Sequence, residues 1–287
     1  MRLHGNRKRL NIKHQKKFAF LSGLPRSGGT LLSSILDQNP MIHCAANTRL
    51  PDMMSSLDQM ASSTIDCYSY RDSKIKVLNP MVYSVLEAFY SDRSENFIID
   101  KSREWPLPQN FELLKRILPY EPKIIITVRD IIQILASFIN LIHKNSNNTS
   151  FVDLEINSNQ NFNFYRDLDE IRCDVLMKPN GLIDRALYGV TIAKRSNQLN
   201  NFYFVEYEDL VKNTSETIDG IYDFLKIKSF KHNYENIFNK FSEKDEMYGL
   251  LGMHEVREKI SLSNIDPFKI LSSYTIQKYS RMEFWRN

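Results

Sequence analysis

The chain has 287 residues, enough to bury a core as one large α/β domain or two small ones. Hydrophobic residues at 42% and charged residues at 25% are ordinary for a globular protein, and a net charge of +4 is too mild to argue for nucleic acid. The three cysteines, Cys44, Cys67 and Cys173, show neither close pairing nor metal-ligand spacing, which speaks against a disulfide framework or a zinc site. No apolar run approaches the roughly 20 residues that span a bilayer, and no hydrophobic signal core follows the N-terminal basic residues. A reducing cytoplasm is the expected setting.

Residues 1–17 carry Arg2, Arg7, Lys8, Arg9, Lys13, Lys16 and Lys17 and no acid, the composition of a solvated tail or of an arm that touches an acidic partner. A domain is expected over 18–287. Residues 18–40, FAFLSGLPRSGGTLLSSILDQNP, read as a buried strand, a phosphate-binding turn and a helix. Gly23, Gly28 and Thr30 match the outer positions of the nucleoside-triphosphate loop GxxxxGK[ST], but Gly29 stands where its lysine would be. Backbone N–H groups and the positive end of the following helix still favour an anion there. With Arg26, Ser27 and Thr30 nearby, the turn suits an anion smaller than a triphosphate.

Four apolar runs read as parallel strands: Phe18–Ser22, Asn96–Ile99, Lys123–Val128 and Phe202–Glu206. Helical patterns cover Gly29–Asp37, Pro51–Met60, Met81–Tyr90, Pro108–Leu118, Asp130–His143, Leu182–Leu199 and Ser215–Leu225. This alternation predicts an α/β fold with a central parallel sheet. Residues 145–164, NSNNTSFVDLEINSNQNFNF, interrupt it with an asparagine-rich stretch, expected to be either a lid over an acceptor site or a featureless insertion. The third strand runs into Arg129, whose fork would lie at the carboxyl end of the sheet where ligands of open α/β folds bind. The second ends in Asp100, which also reads as a magnesium-holding acid of a P-loop kinase, a reading weakened by the missing loop lysine.

PRSGGTLL resembles the 5′-phosphosulfate loop of sulfotransferases that use 3′-phosphoadenosine-5′-phosphosulfate (PAPS), and is closest to the versions in tyrosylprotein sulfotransferases and bacterial sulfotransferases. The resemblance implies a P-loop-like three-layer α/β/α fold. It implies that Arg26, Ser27, Gly28, Gly29, Thr30 and Leu31 hold the 5′-phosphosulfate, while Arg129 and Ser137 hold the 3′-phosphate. By the same resemblance Lys101, just after the second strand, stabilises the leaving phosphate. Arg103 and Trp105 match the bacterial DTNRGW string, from which Lys101 and Glu104 depart.

CAANTRLP, residues 44–51, resembles the ETR segment of tyrosylprotein sulfotransferases, in which the glutamate takes the acceptor's proton. Thr48 and Arg49 match, but Asn47 occupies the glutamate's place, and an amide accepts no full proton at neutral pH. The expected catalytic group is therefore Lys101, Arg49, Arg103 and Glu104, with Glu104, Asp52 and His254 as candidate bases. FVEYEDLV resembles a family segment that puts Tyr207 against the nucleotide, although a buried structural tyrosine also fits. MHEVREKIS and RMEFWRN resemble C-terminal segments of the bacterial proteins. There Arg257 and Lys259 either close over the cofactor phosphates or form a solvated basic face.

The resemblance thus implies an enzyme that moves a sulfuryl group from PAPS to a hydroxyl and leaves 3′-phosphoadenosine-5′-phosphate (PAP), with no metal required. The expected acceptor is a phenol, either a tyrosine side chain or a small aromatic, with a sugar as the other choice. A P-loop phosphotransferase using ATP and magnesium, and a non-catalytic nucleotide-binding or protein-binding module, are the rival readings.

Overall fold

The computed structural model describes residues 16–66, 71–145, 149–158, 166–241 and 243–286. Among these, five strands form one parallel sheet: β1 (Lys17–Gly23), β2 (Ile42–Asn47), β3 (Phe97–Lys101), β4 (Ile124–Val128) and β5 (Phe202–Glu206), in the order β2-β3-β1-β4-β5. In chain order the helices begin with α1 (Gly29–Leu36), α2 (Leu50–Asp66), α3 (Arg71–Phe89), α4 (Pro108–Ile117), α5 (Ile131–Asn145) and α6 (Phe151–Ser158). They continue with α7 (Leu168–Met177), α8 (Leu182–Arg195), α9 (Tyr207–Lys212), α10 (Thr214–Leu225), α11 (Pro267–Ile270) and α12 (Ser273–Tyr279).

Alternation along β1 sorts the core into two layers. Phe18 and Phe20 face a cluster with side chains from α2, α3, α4, α5, α7 and α8, whereas Ala19 and Leu21 face a second cluster built on α1, α9 and α10. A sheet covered on both faces needs nearly continuous apolar strands, and β1, β3 and β4 have them. The strand order reverses across β1, so its carboxyl end opens into the crevice between β3 and β4.

All four expected strands form, with ends moved by one or two residues, and β5 matches at both ends. β2 is the strand that the apolar-run reading omits. His43 breaks its short run, and the strand is held by pairing with β3 alone. Helix α3 begins at Arg71, well before Met81, and continues through Pro80. A proline inside a helix costs about 3 kcal/mol. Burial of Leu78, Val82 and Leu86 at about 1.5–3 kcal/mol each offsets it.

The asparagine-rich stretch is not wholly irregular. Val152 and Ile156, four apart, bury one face of α6, and Asp153 pairs with Arg172 of α7 at 2.8 Å. Asp167 caps α7 through the backbone N–H groups of Asp169 and Glu170. The expected lid falls in part on residues 146–148 and 159–165, and the basic tail almost wholly on 1–15, all outside the described residues. Among the described residues no helix is long and apolar enough to cross a membrane, and no group of three or more His, Cys, Asp or Glu could hold a metal ion.

Candidate functional site

The turn after β1 is shaped by close approach to β4. Gly23 has φ 134° and lies against the Thr127 carbonyl, where any Cβ would collide. Leu24 N–H donates to that carbonyl at 2.9 Å. Arg26 (φ 58°) and Gly28 (φ 88°) are both left-handed, and this curls the chain so that α1 starts at Gly29 with its N-terminus toward the crevice. The Ser27 hydroxyl turns inward, donating to the Leu24 carbonyl at 2.5 Å and meeting Thr127 Oγ1 at 2.7 Å. Of the two loop hydroxyls, only Thr30 faces the cavity that opens here.

That cavity, about 420 Å³, falls in the size range of small-ligand sites. Arg26, Gly28, Gly29, Thr30 and Leu31 form its floor. Arg129 and Ser137, from the end of β4 and from α5, form one wall with Tyr207 at the start of α9. The Arg129 guanidinium stacks over the Tyr207 ring at 4.0 Å, and its Nη1 donates to the Arg26 carbonyl at 3.2 Å. Its Nε is buried without a hydrogen-bond partner, an unused donor that an anion would satisfy. Arg26 Nε donates to Ser137 Oγ at 3.2 Å, and its Nη1 to the Met253 carbonyl. Burial lowers the pKa of both arginines, and the nearby Arg129 charge lowers that of Arg26 further. An anion between them would relieve both effects.

The opposite wall carries Lys101 and Arg103 from the end of β3, with Asn47 from the end of β2. Lys101 Nζ lies 3.3 Å from Thr30 Oγ1 and 3.6 Å from Glu243 Oε1. Burial lowers the Lys101 pKa, and the Glu243 carboxylate works against that. Glu243 accepts from the Asn47 side-chain amide at 2.9 Å and lies 3.2 Å from His254 Nε2. His254 Nδ1 is 2.6 Å from Asp245 Oδ1, and the imidazole lines the cavity. Burial lowers the His254 pKa, while Asp245 and Glu243 oppose it. Although burial works the other way, Lys101, His254 and Asn47 hold the Glu243 carboxyl below its ordinary value.

Three other expected site residues stand apart from the cavity lining. Arg49 is exposed and paired with Asp52 at 2.8 Å. Glu104 pairs with Arg185 at 2.9 Å, and its pKa is raised by burial and by the neighbouring Asp52 carboxyl. Ser27 is the third, for the reason given above. Arg257 and Lys259 do line the cavity mouth, but Arg257 donates to Ser261 Oγ at 2.7 Å and Lys259 pairs with Glu235 at 2.9 Å.

Asp100 is wholly buried and accepts hydrogen bonds from Thr48, Tyr90 and Trp105. It therefore ties the sheet edge together and offers nothing to a magnesium ion. Sequence reasoning omitted Glu243, Asp245 and Met253. All three sit between α10 and α11, where the chain is irregular but for a single 3-10 turn at Asp245–Tyr248 and no periodic signal marks a position as inward-facing.

The profile described as "Sulfotransferase family" matches residues 19–231. No curated protein matches the chain. Among solved structures, the sulfotransferase domain from the curacin biosynthetic pathway is similar at 14% identity and a TM-score of 0.56, over 93% of this chain and 97% of that one. The sulfotransferase domain from the Synechococcus PCC 7002 olefin synthase aligns at 17% identity over 96% and 90% of the two chains, with a TM-score of 0.43. A sulfotransferase from Alicyclobacillus acidocaldarius aligns at 15% identity over 81% and 88%, with a TM-score of 0.46. The first of these likenesses shows a shared fold.

Proposed function

The chain belongs to the sulfotransferase family, and from that premise we propose how its own residues serve PAPS-dependent transfer to a hydroxyl. The proposal is carried by one observation. The buried, partnerless Nε of Arg129 and the ammonium of Lys101 lie on opposite walls of one cavity whose floor is the loop after β1. An adenine nucleotide with phosphates at both ends of its ribose has a matching charge pattern.

In this reading Arg129 and Ser137 hold the 3′-phosphate, and Arg26, expected at the 5′-phosphosulfate, joins them because its Nε lies on Ser137 Oγ at 3.2 Å. The amides at the start of α1 and the Thr30 hydroxyl hold the 5′-phosphosulfate. Tyr207 braces the Arg129 fork through their stacking. When bound, PAPS supplies an activated sulfuryl group. Lys101 then neutralises the charge that grows on the departing phosphate oxygen, an interaction stronger in the transition state than before it. Arg257 and Lys259 stand at the mouth to meet phosphate oxygens. Positive charge from side chains and amides serves where magnesium serves in phosphoryl transfer.

The acceptor we propose is a phenol, either a tyrosine side chain or a small aromatic. Tyr248 supports this, because its ring lies 6.5 Å from that of Phe151 and 6.1 Å from that of His254, which lines the cavity. A phenol, with pKa near 10, also needs less help to lose its proton than an alcohol does.

The experiment is a melting comparison. PAP stabilises the protein, while adenosine 5′-phosphate, and ATP with magnesium, do so far less. Equal shifts for PAP and adenosine 5′-phosphate overturn the assignment of Arg129 to the 3′-phosphate. PAP release from PAPS is then followed with phenols, aliphatic alcohols and sugars to test the acceptor.

A further inference from the structure

We propose that Arg103 binds an anionic group carried by the acceptor beside its hydroxyl, so that the site selects small hydroxyaryl carboxylates over neutral phenols; the inference rests on the function proposed above. Arg103 is half-buried and lines the cavity on the wall that carries Lys101 and Asn47. Among the described residues its guanidinium has no hydrogen bond, no ion pair and no ring stacked on it. The other cations of the cavity wall are tied down. Arg26 donates to Ser137, Arg129 to the Arg26 carbonyl, and Lys101 lies on Thr30 and Glu243. A guanidinium carries five N–H donors and keeps its charge, so holding one away from bulk water without a partner is costly. Burial lowers the Arg103 pKa, and the charges of Glu243 and Glu104 do not make up the loss.

The protein supplies no anion to this side chain. Glu243 is engaged by Lys101, the Asn47 amide and His254, and Glu104 by Arg185. The donor has its own partners in the reading above, at the loop, Lys101 and Arg129, and Arg103 is bonded to none of these. Lys101 feels the Arg103 charge, so the two share one stretch of wall. Lys101 extends toward Thr30 of the loop, whereas Arg103 feels Glu243, Tyr248 and Glu104, on the side where Tyr248 supports an aromatic acceptor.

A carboxylate is the group that fits. Its two oxygens take two parallel N–H groups of the guanidinium fork, whereas a neutral phenol offers only the face of its ring. A hydroxyl and a carboxylate at opposite ends of one ring would set the hydroxyl toward the donor and the acid on Arg103. The carboxylate takes no part in sulfuryl transfer, and its pairing is the same before the transition state and in it. Such an interaction lowers KM and leaves kcat nearly unchanged.

The test compares para-hydroxyphenylacetate with its amide, and para-hydroxyphenylpropanoate with its amide. In each pair the side chain insulates the ring, so the phenols are of similar acidity and the charge alone differs. With the full-length protein and PAPS, at least one acid has a KM about 10–100-fold below that of its amide, the scale of a hydrogen bond to a charged group. Arg103→Gln brings that ratio to within about twofold of unity, and Arg103→Lys keeps part of it, since an ammonium retains the charge but not the fork. Calorimetry on the PAP-bound protein reads the same preference without turnover. There the acid binds wild type more tightly than the amide does, and the two bind Arg103→Gln alike. PAP affinity itself changes by less than about threefold in Arg103→Gln, because the donor is held elsewhere.

Equal KM and equal affinity for acid and amide in wild type overturn this inference and leave the function standing, provided both phenols are sulfated. A preference for the acid that survives in Arg103→Gln overturns it too, since the anion then sits on another cation. If Arg103→Gln weakens PAP as much as it weakens the acid, Arg103 belongs to the donor and the inference falls. If PAP neither binds nor stabilises the protein, the function proposed above falls and this inference falls with it.

Discussion

Lys101 Nζ sits 3.3 Å from Thr30 Oγ1, so the end of β3 delivers an ammonium to a loop that has no lysine of its own. A Cβ built on Gly29 would point at this same side chain, 3.8 Å from Lys101 Cε. The space a loop lysine would start from is thus bordered by a lysine from another strand. This substitution of strand for loop distinguishes the site from one made for a triphosphate.

Lys101→Ala is expected to lower turnover by about 10²–10³-fold, the scale for losing one stabiliser of transition-state charge. PAP affinity should stay within about tenfold, since the loop amides and Arg129 remain. Calorimetry with PAP and initial rates with PAPS measure the two separately, and a variant that loses affinity and rate in equal measure would show Lys101 to be a binding residue.

Arg129→Ala is expected to weaken PAP by about 2–4 kcal/mol, as for truncating a buried partner of a charged group. Affinity for adenosine 5′-phosphate should hardly change. Arg129→Lys should recover little, because an ammonium has neither the fork for a phosphate nor the flat face that stacks on Tyr207.

Two glycines six residues apart should behave oppositely. Gly23→Ala forces a side chain onto the Thr127 carbonyl at φ 134° and is expected to cost more than about 2 kcal/mol of stability or to prevent folding. The first residue of α1 has no such strain, and a methyl group there meets Thr127 Oγ1 at an ordinary 3.5 Å. Gly29→Ala should therefore leave the melting temperature unchanged or raise it slightly. Thermal melts of the two variants decide the matter.

Asp100 gives stability a pH dependence of definite sign. Burial raises its pKa from 3.8 to about 6, against the opposing effect of its three donors. The native state then holds a proton that the unfolded chain releases, so this contribution is complete below about pH 4 and is lost as pH rises through 6. The advantage lost is at most about 3 kcal/mol. Asp100→Asn removes the titration, and the stability difference between wild type and variant should shift in the variant's favour from pH 4 to pH 7. Denaturant melts of both proteins at several pH values check it, and a difference that stays flat with pH would refute the assignment.

The parts of the fold that were legible in the sequence are those with a repeating physical signal. β1, β3 and β4 are buried on both faces, β5 at the edge is half-buried, and all four announce themselves as apolar runs. The loop after β1 is legible because Gly23 and Gly28 sit where backbone geometry leaves little choice. β2 was missed because His43 interrupts its run, and α6 because Val152 and Ile156 are two apolar positions in polar text. Within the site, Arg129 is visible because an apolar strand runs into it, whereas Lys101 and Arg103 are marked only by the resemblance of their string to a family segment. Glu243 and His254 converge on Asn47 and Lys101 only through tertiary contact between residues as much as 196 apart. The inward turn of Ser27 was equally hidden, since its partner Thr127 is 100 residues away.

The three donors to Asp100 come from separate pieces of chain: Tyr90 just past α3, Trp105 after β3, and Thr48, 52 residues away in sequence, just before α2. If the α2–α3 pair detached, the carboxylate would lose two of its donors together and take up water in their place. Re-forming the contacts would mean stripping that water again, which makes intermediate degrees of detachment unfavourable. Opening of the α2–α3 pair and loosening of the strand end that carries Lys101 therefore form one cooperative unit. The amides of β3 and those of the α2–α3 pair should accordingly exchange with solvent at a common rate, rather than from the surface inward.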